Sequence, residues 1–138
     1  MELAPLPNGD QQDSTTRPLV LAVDDNEDNL ILLTQVLAVL GCSFLSFKDG
    51  HTAINAARNY QPDLVLLDVM LPDMEGIEVI RQLKQDPQTM EIPIVAVTAM
   101  ARSEDRDRIL AAGCNDYIKK PYMIDELEAI IRPYLFNV

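Results

Sequence analysis

Apolar residues in this chain follow two alternating patterns: short, mostly apolar runs, and longer stretches where they recur every three or four positions. The runs are "LVLAV" (Leu19 to Val23), "CSFLSF" (Cys42 to Phe47), "LVLL" (Leu64 to Leu67), "IVAV" (Ile94 to Val97) and a shorter one near Tyr117 and Ile118. Runs of this length between turn residues fit buried strands. Between them, Leu30, Leu33, Leu37 and Leu40 share a helical face that stops at Gly41, and the turn at Asp49 and Gly50 leads into a helix through Ile54 and Ala57. Ile77, Ile80 and Leu83 mark a third helix, a fourth runs from about Arg102 to an end at Gly113, and a fifth follows Pro121 with Leu127, Ile130 and Ile131. Gly41 suits the position just past a helix C-terminus, where a left-handed backbone is wanted.

Five strands alternating with five helices, the strands nearly all apolar, describe a parallel sheet buried on both faces by crossover helices. The expected fold is therefore a doubly wound α/β domain over residues 18–138. Residues 1–17 ("MELAPLPNGDQQDSTTR") mix Pro, Gly, Gln, Ser and Thr without apolar periodicity, and a flexible N-terminal tail is expected there. In doubly wound sheets the polar site lies outside the carboxyl ends of the strands, where strand order reverses.

Composition narrows the classes. A length of 138 residues suits one domain with a proper core, and 48% hydrophobic with 24% charged residues is ordinary for a globular chain. No apolar run approaches a bilayer span, and the N-terminus lacks the basic-then-apolar pattern of a secretion signal, so no membrane association and a cytoplasmic location are expected. A net charge of -11 argues against nucleic-acid binding, which needs clustered Lys and Arg; it favours cations or a partner with a basic face. Cys42 and Cys114 lack metal-ligand spacing and read as reduced core residues.

The carboxyl ends of the strands carry the chemistry. Asp24 and Asp25 follow the first strand, Asp68 the third, Thr98 the fourth and Lys120 the fifth. Three carboxylates gathered at one sheet edge would raise one another's pKa unless a cation lay among them. With hard oxygen ligands and no nearby His or Cys, Mg²⁺ is the expected ion and Mn²⁺ the alternative. Lys120 and Thr98 suit the oxygens of a transferred phosphoryl group, and Asp68, central on the edge, is the candidate nucleophile that would form an acyl phosphate.

"AVDDNEDN", "LVLLDVMLPDMEG", "VAVTAMA" and "YIKKPY", in this order and spacing, resemble the motifs of the response-regulator receiver domain, the chemotaxis-type phosphoacceptor module of two-component signalling. The resemblance covers Pro18 to about Leu135. It implies a flavodoxin-like strand order 2-1-3-4-5 and a phosphoryl group accepted onto Asp68 from a histidine kinase or a histidine phosphotransfer protein. It further implies Mg²⁺ held by Asp24, Asp25, Asp68 and the backbone carbonyl of Met70, with Thr98 as switch hydroxyl and Lys120 as the lysine pairing with the phosphoryl group. Tyr117 would be the aromatic switch residue, and the Lys120–Pro121 bond matches one that is usually cis. Such a protein is a signalling switch that catalyses only its own phosphorylation and dephosphorylation. It acts as a monomer or as a dimer formed on phosphorylation, through a face made by the fourth helix, fifth strand and fifth helix. Because the sequence stops just after the fifth helix, output is expected through an unidentified downstream protein or onward phosphotransfer.

Plainer readings stand beside these. The aspartate pair could cap the helix beginning near Asn26, Thr98 could be an ordinary β-branched strand residue, and Tyr117 could be plain core. His51 reads as a solvated or capping histidine, and "RSEDRDR" (Arg102 to Arg108) as the exposed face of a helix. Two other classes share features with the pattern. An aspartate-nucleophile phosphatase of the haloacid dehalogenase type needs a second acidic residue where Met70 stands, and a flavodoxin-like FMN carrier needs a hydroxyl- and glycine-rich loop where "DDNEDN" stands. Met70 and Met100 occupy the two places where receivers that lose phosphate quickly carry a polar side chain. A long-lived phosphorylated state is therefore expected, since a thioether orients water poorly and two apolar side chains over the site would exclude it.

Overall fold

The computed structural model describes residues 17–99 and 102–136. The N-terminal tail, Arg17 apart, and Met100 lie outside the described residues. The elements run β1 (Leu19–Val23), α1 (Glu27–Val39), β2 (Ser43–Phe47), α2 (Gly50–Tyr60), β3 (Leu64–Asp68), α3 (Gly76–Gln85), β4 (Ile94–Thr98), α4 (Ser103–Ala111), β5 (Asp116–Lys119) and α5 (Ile124–Leu135). The strands form one sheet in the order β2-β1-β3-β4-β5, and every neighbouring pair is parallel. This is the flavodoxin-like order 2-1-3-4-5, with its reversal between β1 and β3.

β3 and β4 are buried at every position, as central strands covered on both faces must be. Alternate strand residues feed two separate cores. Leu21, Val65, Leu67 and Ala96 pack against α2, α3 and α4 through Ile54, Ile80 and Ile109. Val20, Leu64, Leu66 and Val97 pack against α1 and α5 through Leu33, Leu37, Leu127 and Ile131. Gly41 has a φ of 85°, so the left-handed backbone expected after α1 is present. Cys42 and Cys114 are buried free thiols.

Three differences from the sequence reading have simple causes. β2 begins at Ser43 rather than Cys42, because the Cys42 amide still bonds back to the Leu37 carbonyl at the helix end. Asp68 and Thr98 are the last residues of their strands rather than the residues after them. Within "RSEDRDR" the residues are exposed except Asp105, which is buried on the inner side of α4 with Arg102 3.5 Å away.

Candidate functional site

Each strand-end residue is delivered by a local device. At the end of β1, Asp24 accepts a hydrogen bond from the Asn26 amide at 2.9 Å, which turns the chain away from the sheet. Asn26 then caps α1 by accepting from the Asn29 amide at 2.9 Å. The cap belongs to Asn26, so the aspartate pair is free of that task. Asp24 is 1% exposed, whereas Asp25, one residue on, is exposed.

Asp68 closes β3 at 6% exposure and accepts from the Met70 amide at 3.0 Å. The register places Asp68 beside Val97 and Thr98 beside Lys119. Thr98 is fully buried, and its carbonyl accepts from the Lys120 amide at 2.8 Å, which fixes where the lysine leaves the sheet. The Lys120–Pro121 bond is cis. From there Lys120 Nζ donates to Asp24 at 3.0 Å and to Asp68 at 3.2 Å. Tyr117 pairs with Ala96, so it shares a sheet face with Thr98 two residues further along β4, and its half-buried ring packs into the α2/α3/α4 core.

The charges are unbalanced. Burial pushes the Asp68 carboxyl above its ordinary range and Asp24 adds to that rise, while the Met70 amide and Lys120 pull the other way without cancelling it. Burial opposes the charge on Lys120, but Asp24 and Asp68 together outweigh it and hold the ammonium above its usual range. One ammonium thus serves two buried carboxylates, with Asp25 adding a third. Asp24, Asp25 and Asp68 each offer an oxygen within 4.8 Å of the others. Three carboxylates against the one ammonium of Lys120 leave two negative charges unbalanced, and such a hard-oxygen donor set fits a divalent cation.

Sequence reasoning missed the anchoring of the β3–α3 loop. Asp73 accepts from the Gly50 amide at 2.8 Å and the His51 amide at 3.0 Å, and its second oxygen lies 2.5 Å from His51 Nδ1. His51 is exposed, as read, but its partner sits five residues past Asp68. Gly76 closes the same loop: its amide donates to the Val69 carbonyl at 2.7 Å, and a Cβ there would lie 2.4 Å from Val69 Cα. Tyr122 was also overlooked; burial raises its phenol pKa, with Lys120 and Asp24 near enough to act on it. The Met70 side chain is 60% exposed and stands out into solvent rather than sealing the site.

Among the described residues no helix is long and apolar enough to cross a membrane. Residues 20–132 match the family model for the response regulator receiver domain. The chain is 38% identical over 116 residues to the polar-differentiation response regulator DivK of Brucella anthropi, covering 84% of this chain and 94% of that protein. Its structure is similar to the receiver domain of sensor histidine kinase PA1611 from Pseudomonas aeruginosa, a crystal structure with a magnesium ion coordinated in the active-site cleft. That match has a TM-score of 0.80 at 32% identity and covers 86% of this chain and 98% of that one. It is also similar to the chemotaxis response regulator CheY4 of Vibrio cholerae, with a TM-score of 0.82 at 26% identity over 87% of this chain and 100% of that one. A parallel sheet in the order 2-1-3-4-5, a carboxylate cluster at its switch point and a lysine bridging that cluster accord with these matches, and the chain belongs to the response regulator receiver domain family of two-component signalling proteins.

Proposed function

We propose that this protein accepts a phosphoryl group on Asp68 from the phosphohistidine of a histidine kinase or histidine phosphotransfer protein. The observation that carries the reading is the placement of Asp68: nearly buried, its carboxyl pKa raised, with one oxygen on the Met70 amide and the other on Lys120. A carboxylate oxygen of Asp68 attacks phosphorus, the phosphorus–nitrogen bond breaks, and the imidazole leaves with the electron pair of that bond. The product is an acyl phosphate. Asp24, Asp25 and Asp68, with the backbone carbonyl of Met70, would hold Mg²⁺, which when bound supplies the positive charge that lets an anionic nucleophile approach an anionic phosphoryl group. Lys120 reaches solvent, at 21% side-chain exposure, and its ammonium would pair with a phosphoryl oxygen placed beside the carboxylates. Thr98 donates its hydroxyl to another.

The switch follows from the shared face of Thr98 and Tyr117. Movement of Thr98 toward the phosphoryl group vacates space on that face, and the half-buried Tyr117 ring turns into it, repacking the surface of α4, β5 and α5 for a downstream protein or onward phosphotransfer. The test is incorporation of labelled phosphate from a small acyl phosphate, with and without chelator. Uptake should need Mg²⁺ and vanish in Asp68→Asn; uptake that survives the substitution, or proceeds fully in chelator, overturns the reading.

A further inference from the structure

We infer that Asp73 is a positioning residue for the site: it ties the loop carrying Met70 to the N-terminus of α2 and so holds the Met70 carbonyl where a cation meets it. This rests on the reading of Asp24, Asp25, Asp68 and the Met70 carbonyl as the cation's ligands.

Three observations support it. The loop between β3 and α3 leaves the sheet at Asp68, carries Met70 and returns at Gly76. Its two ends are fixed by the Met70 amide on Asp68 and the Gly76 amide on the Val69 carbonyl. Its middle packs on the core through Leu71 and is tied to α2 by Asp73 and Met74. Asp73 takes the first two amides of α2, those of Gly50 and His51 at 2.8 and 3.0 Å, and the His51 ring. Met74 packs where Gly50 has no side chain, since a Cβ on Gly50 would lie 2.7 Å from Met74 Cγ. The partners are 22 and 23 residues apart in sequence, so the contact joins two elements rather than shaping one turn.

The helix does not need Asp73 for its own cap. Asp49 already accepts from the Thr52 amide at 2.9 Å. Asp73 takes the two donors that Asp49 leaves over, and the element that gains a fixed position is the loop. The Gly50 amide is the main reason its carboxyl lies at about 2; burial, the next largest effect, opposes it, and the two donors of His51 add to the lowering. The carboxylate is therefore charged across the physiological range.

The natural control is Asp49. Asp49→Ala and Asp73→Ala each remove a carboxylate cap from α2, but only the second frees the loop. Calorimetric titration with Mg²⁺ alone should give affinity about tenfold weaker in Asp73→Ala, the lower end of what losing an outer-shell partner costs, and affinity unchanged in Asp49→Ala. Asp73→Asn, which keeps one acceptor, should fall between parent and Asp73→Ala. His51→Ala, which leaves both backbone donors, should stay close to parent. The Met70 amide resonance should shift in Asp73→Ala and not in Asp49→Ala. Equal effects of the Asp49 and Asp73 substitutions on Mg²⁺ affinity, or no effect of either, overturn the inference. Because the titration uses no phosphate, a parent that binds Mg²⁺ but takes up no phosphate refutes the phosphoacceptor reading and leaves the role of Asp73 to be decided by the variants. A parent that binds no Mg²⁺ refutes both.

Discussion

Replacing Lys120 by methionine, which keeps most of the stem volume, strands two carboxylates that share one ammonium. Nζ lies 3.0 Å from Asp24 and 3.2 Å from Asp68, and the carboxylate side chains are 1% and 7% exposed. At these separations an effective dielectric constant of about 20 gives a gross attraction of roughly 5 kcal/mol per pair. Desolvation of the three groups returns much of that, and removing one partner of a buried pair costs about 3–5 kcal/mol where water is excluded. Here the lysine reaches solvent at the sheet edge, so the expected loss is about 2–3 kcal/mol. For a domain of this size that is a fall in Tm of roughly 10 °C. Mg²⁺ makes the test diagnostic: without the ammonium the carboxylates bind the cation without a competitor, so saturating Mg²⁺ should restore more stability to the variant than to the parent. Thermal unfolding followed by circular dichroism, in chelator and across a Mg²⁺ titration, reads both effects. Adding Asp24→Asn to the variant removes one stranded charge and should recover part of the loss. A Tm loss equal with and without Mg²⁺, or one deepened by Asp24→Asn, would refute the reasoning.

Gly76→Ala places a Cβ 2.4 Å from Val69 Cα and 2.9 Å from the Asp68 carbonyl oxygen; both are backbone, so urea unfolding should register a loss of about 1–3 kcal/mol, and unchanged stability would contradict the close approach. The carboxyl of Asp73 is depressed from 3.8 to about 2, so its stabilising effect is complete above about pH 4 and is lost as pH falls toward 2. Asp73→Asn should flatten that acid limb of stability, and parallel limbs in parent and variant would count against it. Met70→Asn and Met100→Glu should each speed loss of phosphate by about the tenfold that roughly 1.4 kcal/mol of barrier represents, read as decay of labelled protein. With Met70 exposed, the expectation rests on its lack of a polar atom rather than on shielding, and a doubly substituted protein no faster than the parent would defeat it.

The strands were legible because central parallel strands have no polar face, so Leu64 to Leu67 and Ile94 to Val97 appear as uninterrupted apolar runs. The strand-end rule then located Asp24, Asp25, Asp68, Thr98 and Lys120 without any knowledge of contacts. Helix faces were read less well. α1 is apolar around most of its circumference, so periodicity picked out Leu30, Leu33 and Leu37 but gave no sign that Val36 is buried while Ile31 and Val39 are exposed. Asp73 was invisible for a different reason. Its partners are mainly backbone amides more than twenty residues away, and a backbone donor leaves no mark in a sequence. Asp105 was hidden by its neighbours, since five of the seven residues of "RSEDRDR" besides it are charged and only the orientation of α4 turns this one inward.

β5 is the last strand in the chain and the outermost on its side of the sheet, and Lys120 follows it directly. The carboxylates that it bridges were laid down 52 and 96 residues earlier. During synthesis, therefore, all three acidic groups leave the ribosome long before the cation that tempers them. A polypeptide interrupted between residues 69 and 115 carries all three acidic residues of the cluster without the one ammonium that bridges Asp24 and Asp68 among the described residues, and it also lacks β5 at the edge of the sheet. Such a fragment holds its acidic edge without a counter-charge, and the cluster is completed only when β5 and Lys120 join the sheet.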